Sequence, residues 1–543
     1  MKDPRATSIE SDAIVIGGGF GGCYSLYRLR KMGLKTTLLE AGSDFGGVWY
    51  WNRYPGARVD SEMPTYQFNI HKVWRDWNWS ERFPSGKELR QYFDHVDKTL
   101  DLRKDAIFNT VITGIQYNPD TGLWTCTAEN GLQATCKYLV AATGSSYKKY
   151  YPSFPGMESY KGRIIHPADY PADLDVKGKR VGVVGNGASG LQVVQTLAKE
   201  DCQLHSYIRT PAIALPMKQR QISPAESDSL KGLYQGIFEK CYRSVHGFPH
   251  NSNSQTRDQV TTQETDELFD ELWNRGGFNY LTCNFWNYMV DEKTNAMVYD
   301  YWARRVRARM TDPAKMDLVA PLKQPLYIGT KRPSLEQDYY ESVDRPNVHL
   351  HDLKKSPIVE IVPEGIVLQN GDQKELHELD VLVFATGYDA VTGSLLDMGI
   401  KDKNGVILAD KWKKGVQTHL GLMVPDMPNL FIVYGPQSPT SLANGPPFIE
   451  LEVDWICKAI SKMQAEGLEC IEPTHEAAAG WREQVHAACN ATLLPKTDSW
   501  WMGANIPGKI REPLIYVGGM DRWLQQSIGS LEQWNGFNTV KAR

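Results

Sequence analysis

Short apolar runs, each closed by a glycine turn and followed by a stretch of helical period, punctuate this chain, and the order occurs twice. Asp12–Ile16 ends in four consecutive apolar residues and predicts a buried strand. GGGFGG fills positions 17–22, a helical stretch follows to about Met32, and the strand LKTTLLE ends at Glu40. The second unit is RVGVVGNGASG, with glycines at 185, 187 and 190. A helix is predicted to about Glu200, and the strand CQLHSYIRT ends at Arg209–Thr210. From about 215 to 330 strand signals fade, and charged or amide residues alternate with Trp, Tyr and Leu, which predicts a helical insertion. After Asp338 strands return (NVHLHDL, IVEIVPEGIVLQNG, LDVLVFATGYDA), and the last 150 residues or so are mixed, with long connections containing Gly and Pro.

Each glycine turn carries the chemistry of a dinucleotide site. In a G-x-G-x-x-G turn between strand and helix, the first glycine makes the tight turn and the second lets the backbone approach a pyrophosphate. The third lets helix and strand pack closely. The helix N-terminus adds free N–H groups and the positive end of its dipole. Glu40 stands 40 − 17 = 23 residues after Gly17. A carboxylate there binds a ribose diol and repels a 2′-phosphate, which fits FAD or NAD. Arg209 stands 209 − 185 = 24 residues after Gly185, where a cation accommodates a 2′-phosphate, so NADP is preferred. The fold class expected is α/β, with two Rossmann-like dinucleotide-binding domains and a helical insertion. Two further segments echo one another, YLVAATGSS and VLVFATGYD, each a buried strand running into Ala-Thr-Gly.

Composition removes other classes. An apolar fraction of 41% and a charged fraction of 23% exclude a disordered chain and a fibre. The net charge is 60 − 64 = −4, which gives no footing for a nucleic-acid binder. Nine cysteines without a CxxC pair argue against a zinc ribbon or a disulfide framework, and for reduced thiols in the cytosol. No run approaches the ~20 apolar residues of a membrane span. No metal site is expected.

The most specific stretch is GGVWYWNRYPGARVD, Gly46 to Asp60. It fits Gly-x-Trp, four residues, Tyr-Pro-Gly, three residues, Asp, and with it the chain resembles the Baeyer–Villiger monooxygenases, class B flavoprotein monooxygenases of the cyclohexanone monooxygenase type. Lys331-Arg332-Pro333 matches that family's Lys-Arg-Pro, and SWWMGANIPGK (499–509) its mobile loop, near 495–510. GPQSPTSLANGPPFIELE (435–452) falls where the family builds part of its ketone pocket. The family's linker fingerprint is Phe-x-Gly-x-x-x-His-x-x-x-Trp-Pro. Gly162, His166 and Pro171 match it, whereas Tyr160 and Tyr170 depart. Tyr at 170 is the choice of the sister flavin-containing monooxygenases and N-hydroxylases, which keeps N- or S-oxygenation as the alternative reading.

The resemblance implies an FAD-containing, NADPH- and O2-dependent enzyme. It would insert one oxygen beside a ketone carbonyl, by way of a peroxide adduct at flavin C4a, and release an ester or lactone. Arg332 is the implied catalytic cation and Asp60 its partner. FAD would rest on Gly17, Gly19, Phe20, Gly22, Glu40, Gly47, Val48, Trp49, Trp51, Asp60, Tyr66 and Val111. NADP would rest on Arg58, Gly185, Asn186, Gly187, Ala188, Ser189, Gly190, Gln192, Arg209, Thr210, Lys331, Arg332 and Trp500, with Trp501 the alternative to Trp500. His166 is implied to couple the linker to domain motion, not to donate a proton. The expected domains are 1–145 and 385–543 for FAD, 146–218 and 334–384 for NADP, and 219–333 for the insertion. The expected partners are a small ketone and O2, with no nucleic acid and no membrane, and the expected state is a cytoplasmic monomer.

Overall fold

Burial explains why the first strand changes character along its length. Ser8–Ile16 alternates exposed and half-buried positions to Asp12 and is then buried without a break over Ala13–Ile16. There it lies parallel to Thr36–Leu39 on one side and to Gln133–Ala141 on the other. A strand covered on both faces needs an unbroken apolar run, which is what Ala13–Ile16 supplies. The computed structural model describes residues 8–542.

Gln133–Ala141 joins distant parts of the chain. Its first half pairs antiparallel with Leu123–Ala128, and its end pairs parallel with Leu430–Ile432. Ile400–Lys401 adds at the far edge, beside Ile112–Asn118. The resulting eight-stranded sheet therefore holds strands from 8–141 and from 400–432. The C-terminal part is fastened again by the 22-residue helix Gly445–Glu466, which packs on helix Phe20–Lys31. Arg28 pairs there with Asp454, and the Tyr24 hydroxyl donates to the same carboxylate at 3.1 Å.

A second, five-stranded sheet is parallel throughout. Its order is Val348–Asp352, Gln203–Ile208, Arg180–Val184, Val381–Phe384, Arg163–Ile165. A three-stranded antiparallel sheet, Ile358–Val362, Gly365–Asn370 and Gln373–Glu378, is formed by the chain between Val348–Asp352 and Val381–Phe384.

Ala214–Pro216 and Ser334–Glu336 form a short parallel pair, and all regular elements between them are helical. Caps set several of these helix starts. Thr261 and Glu264 form a capping box, and Asp291 accepts from the Thr294 N–H at 2.7 Å. Helix Glu292–Arg307 turns Val298, Tyr299, Trp302, Ala303 and Val306 inward, and Trp302 Nε1 donates to the Ala214 carbonyl at 2.7 Å. The indole thereby ties the insertion to the strand pair at its base. Among the described residues no helix is long and apolar enough to cross a membrane.

Candidate active site

The two glycine turns open into one cavity of about 1240 Å³. Each turn is built alike. Gly17 has φ +107° and Gly185 φ +106°, so both occupy a conformation that favours glycine. A Cβ on Gly17 would lie 2.4 Å from the Ala142 carbonyl oxygen, and one on Gly185 would lie 2.5 Å from that of Ala385. The two Ala-Thr-Gly segments thus cross over the first glycines of the two turns, and this explains why they echo one another. Gly19 faces Gly47, with 3.3 Å from its would-be Cβ to the Gly47 Cα, whereas Gly187 faces open space.

Gly22 and Gly190 do not line the cavity; they pack. A Cβ on Gly22 would fall 1.7 Å from the Gly17 oxygen, and one on Gly190 2.2 Å from the Gly185 oxygen. Gly22→Ala should therefore lower stability by about 1–3 kcal/mol, the range for overpacking, and loosen the first turn. Denaturant unfolding with the protein's bound flavin content measured in parallel checks this; an unchanged midpoint would refute the packing role.

Both helices that start at these turns, Phe20–Lys31 and Ala188–Leu197, lack a side-chain cap and an acidic residue in the first turn. Their leading N–H groups are left for an anion. Glu40 is buried and accepts from the N–H of Gly18 and, at 2.6 Å, of Gly42; burial raises its pKa. Asn186 lines the cavity with its Nδ2 buried and without a partner, while its Oδ1 accepts from Tyr339 at 3.0 Å. These features fit a dinucleotide at each turn.

Residues 46–60 run between the turns. Gly46 (φ +136°) and Gly47 (φ +53°) lead into the short helix Val48–Trp51. Phe20, Gly47, Val48, Trp49, Trp51, Asp60, Tyr66 and Val111 all line the cavity, and Trp49 Nε1 donates to the Tyr66 hydroxyl at 3.2 Å. Arg332 reaches in from the far side of the insertion. Its Nε and Nη2 donate to one oxygen of Asp60, at 3.2 and 2.8 Å, and its Nη1 donates to the Ser441 carbonyl at 2.6 Å. The guanidinium also lies 5.1 Å from the centre of the Phe278 ring. Of its five N–H donors, these bonds use three, which leaves two. Burial pulls the pKa of Arg332 down, but Asp60 and then Tyr434 push it up by more, so it stays charged.

Arg58, Ala188, Ser189, Arg209, Thr210 and Lys331 line the other end. Arg58 pairs with Glu81. Lys331 and Arg209 form no ion pair among the described residues. Burial, and then the Arg209 charge, lower the Lys331 pKa. Gln192 requires a correction, because it does not line the cavity. It accepts from the Tyr54 hydroxyl at 2.9 Å and donates to the Arg58 carbonyl at 3.1 Å, so it fastens the 46–60 segment to the second helix.

Comparison with known proteins agrees with this geometry. Residues 11–272 match the pyridine nucleotide-disulphide oxidoreductase family. The chain is 39% identical over 536 residues to the FAD-binding monooxygenase acrE of Aspergillus aculeatus, covering 98% of this chain and 90% of that one. It is 38% identical to cyclopentanone 1,2-monooxygenase of Comamonas sp., covering 97% and 96%. The crystal structure of cyclohexanone monooxygenase from Rhodococcus sp. Phi1 bound to NADP+ superposes with a TM-score of 0.94 at 34% identity, covering 98% and 100%. The chain belongs to the Baeyer–Villiger monooxygenases.

A disulphide reductase would need a cysteine pair at the cavity. In this Baeyer–Villiger monooxygenase all nine cysteines are buried and unpaired, and none lines the cavity. The linker departures also lie outside it. Tyr170 is buried in the main core, and Tyr160 packs beside the second sheet and donates to the Leu379 carbonyl at 3.0 Å. His166 is buried, with Nε2 donating to the Gly387 carbonyl at 3.0 Å and Nδ1 accepting from the Ala168 N–H at 3.2 Å. It joins the linker to the second Ala-Thr-Gly segment, and burial lowers its pKa.

The monooxygenase's two adjacent tryptophans separate cleanly. Trp500 lines the cavity, while Trp501 packs with Cys489, Leu494, Met502 and Ile515. Trp501→Ala should therefore cost about 3–5 kcal/mol of stability. Trp500 is only partly buried against the same core, so Trp500→Ala should cost less stability than Trp501→Ala and raise KM for NADPH. Thermal unfolding and steady-state kinetics on the pair check this, and the reverse pattern would exchange the two roles. Ser441 stood unmarked within the 435–452 stretch, and Phe278 had no signal of its own in the sequence. One acts through its backbone carbonyl and the other through the position of its ring. Tyr434 and Ser441 both have positive φ (60° and 65°), and the Tyr434 hydroxyl accepts from the Ser441 N–H at 3.0 Å, which fixes the carbonyl that Arg332 meets.

Proposed function

We propose that this enzyme converts a ketone, O2, NADPH and a proton into an ester or lactone, NADP+ and water. The observation that carries the reading is the Arg332–Asp60 pair, set in the cavity into which both dinucleotide turns open, with two guanidinium N–H groups to spare. FAD rests on the first turn and NADPH on the second. When bound, these cofactors supply the hydride and the activation of oxygen. The remaining work belongs to the chain.

Arg332 offers fixed donors to negative charge that develops on oxygen, first on the oxidant and then on the former carbonyl oxygen of the ketone. One such preorganised donor is typically worth about 3–4 kcal/mol. Asp60 keeps the guanidinium aimed and offsets the cost of burying it. Arg209, Lys331 and Thr210 are assigned to the 2′-phosphate of NADP. Their support is the absence of any ion pair for the two cations among the described residues. Gly19, Gly187 and the uncapped helix ends hold the pyrophosphates, and Trp500 covers the NADP side and excludes water.

The same reading divides the chain into an FAD-binding domain (1–145 and 385–543), an NADP-binding domain (146–218 and 334–384) and the insertion (219–333). Sheet membership supports it, since the eight-stranded and the five-stranded sheet each draw strands from two separated stretches. Nine buried, unpaired thiols support a cytoplasmic enzyme, and we assign a monomer. Heteroatom oxygenation is a side activity on this reading, because Tyr160 and Tyr170 stand away from the reacting groups. The test is NADPH consumption by the flavin-loaded protein across cyclic and linear ketones, with products read by mass. Products heavier than the ketone by one oxygen support the reading. NADPH oxidation that yields only H2O2 with every ketone, alongside efficient sulfide oxygenation, would replace it.

A further inference from the structure

Four of the chain's twelve histidines, His205, His349, His351 and His377, gather beside the second sheet, and none lines the cavity. Strand pairing accounts for most of this. Parallel strands Gln203–Ile208 and Val348–Asp352 set His205 opposite His349 and Tyr207 opposite His351. Alternation along a strand then puts all four on one face. His377 arrives from Gln373–Glu378 of the antiparallel sheet, and its ring centre lies 4.3 Å from that of His351. His205 Nδ1 and His351 Nε2 are 3.0 Å apart. His205, His351 and His377 each present one ring nitrogen, all within 4.8 Å of one another.

We propose that His205, His351 and His377 form a binding site for a divalent transition-metal ion, of the kind that imidazole favours, with Zn2+ as the test ion. Zinc–imidazole bonds of about 2.0–2.1 Å in a tetrahedron place ligand nitrogens about 3.3 Å apart. The His205–His351 pair needs a shift of only a few tenths of an ångström to reach that spacing. Burial, and then the neighbouring imidazoles, hold His205 down to about 4 and His351 to about 3, so both are neutral at pH 7 with a lone pair to give. His377 Nε2 lies 3.0 Å from a Glu375 oxygen, and its Nδ1 lies 3.0 Å from the Tyr207 hydroxyl. A carboxylate behind a histidine is the arrangement that orients metal-bound imidazoles and raises their basicity. The cation that acts on His205, Arg180, is already paired with Asp380 at 3.0 Å and with Glu378. His205 and His351 are only half-buried, which leaves an entry path and room for water as a further ligand. Tyr207 lines the cavity, so the ion would sit directly behind its wall, two residues from Arg209. No spacing motif announces the site, because its three ligands come from three strands.

The experiment uses full-length, tag-free, flavin-loaded protein stripped with a chelator and titrated with ZnCl2 by calorimetry. One ion per chain is expected, with nitrogen ligands at the zinc X-ray absorption edge and a rise in thermal midpoint that EDTA reverses. His351→Phe keeps the ring stacked on Tyr207 without a ligand nitrogen. It and His205→Gln should each weaken binding by at least about ten-fold, while FAD content and NADPH oxidation persist. His71→Ala, at an exposed histidine elsewhere, should bind as wild type. Wild-type binding no tighter than that of both variants, or absent, would overturn the site and leave a hydrogen-bonded histidine cluster. Should His351→Phe fail to hold FAD, His205→Gln alone decides.

Discussion

Replacing Arg332 with alanine is expected to abolish ester formation while the protein still folds, binds FAD and oxidises NADPH. The hydride step needs only the two cofactors side by side, so it slows at most. Loss of one preorganised donor to a developing oxyanion costs about 10²–10³ in rate. Arg332 keeps two N–H groups without a protein partner, so the upper part of that range is expected. Oxygen consumed by the variant should end as H2O2. Arg332→Lys should not restore the ester, because an ammonium has no planar fork to hold Asp60 and the Ser441 carbonyl and still face the substrate. Asp60→Ala should impair the same step less completely, since it acts through the arginine. It also leaves a half-buried guanidinium without its carboxylate, so a lower unfolding midpoint is expected too. Anaerobic stopped-flow reduction followed by product analysis in air separates the two half-reactions. Ester formation by Arg332→Ala at near wild-type rate would demote the arginine to a structural residue and move heteroatom oxygenation to first place.

The second large effect belongs to the other end of the cavity. Each charge-assisted hydrogen bond to a phosphate is worth about 1.5–3 kcal/mol, or roughly a factor of ten to a hundred in affinity. Arg209→Ala and Lys331→Ala should each raise KM for NADPH by that order while leaving KM for NADH unchanged or lower. Losing Lys331 should cost more with Arg209 absent than with it present. The two charges repel, as the lowered Lys331 pKa reflects, so removing one eases the burial of the other. Kinetics with both nucleotides on the single and double variants check this. A wild-type enzyme indifferent to the 2′-phosphate would void the assignment of both cations.

The sequence alone determined the two dinucleotide turns and the difference between them. Strand, glycines, helix and the following Glu40 or Arg209 all lie within one contiguous stretch of about thirty residues. Local chemistry therefore specifies each unit completely. Gly46–Asp60 was legible for another reason: aromatic and glycine residues at fixed spacing are rare enough to mark a family, and Lys331-Arg332-Pro333 was legible through the family so marked. What only the tertiary structure decided is which of these parts meet. Arg332 and Asp60 are 272 positions apart, and the carbonyl of Ser441 that shares the guanidinium comes from a third segment. No spacing rule links three loops brought together by two sheets and an insertion. Burial separated Trp500 from Trp501, which are chemically identical and adjacent. Packing took Gly22 and Gly190 out of the cavity lining, and moved Gln192 from the cavity wall to a tie between residues 46–60 and the second helix. The histidine cluster is the extreme case, since its members become neighbours only through strand register, a property of paired chains that no single stretch of sequence contains.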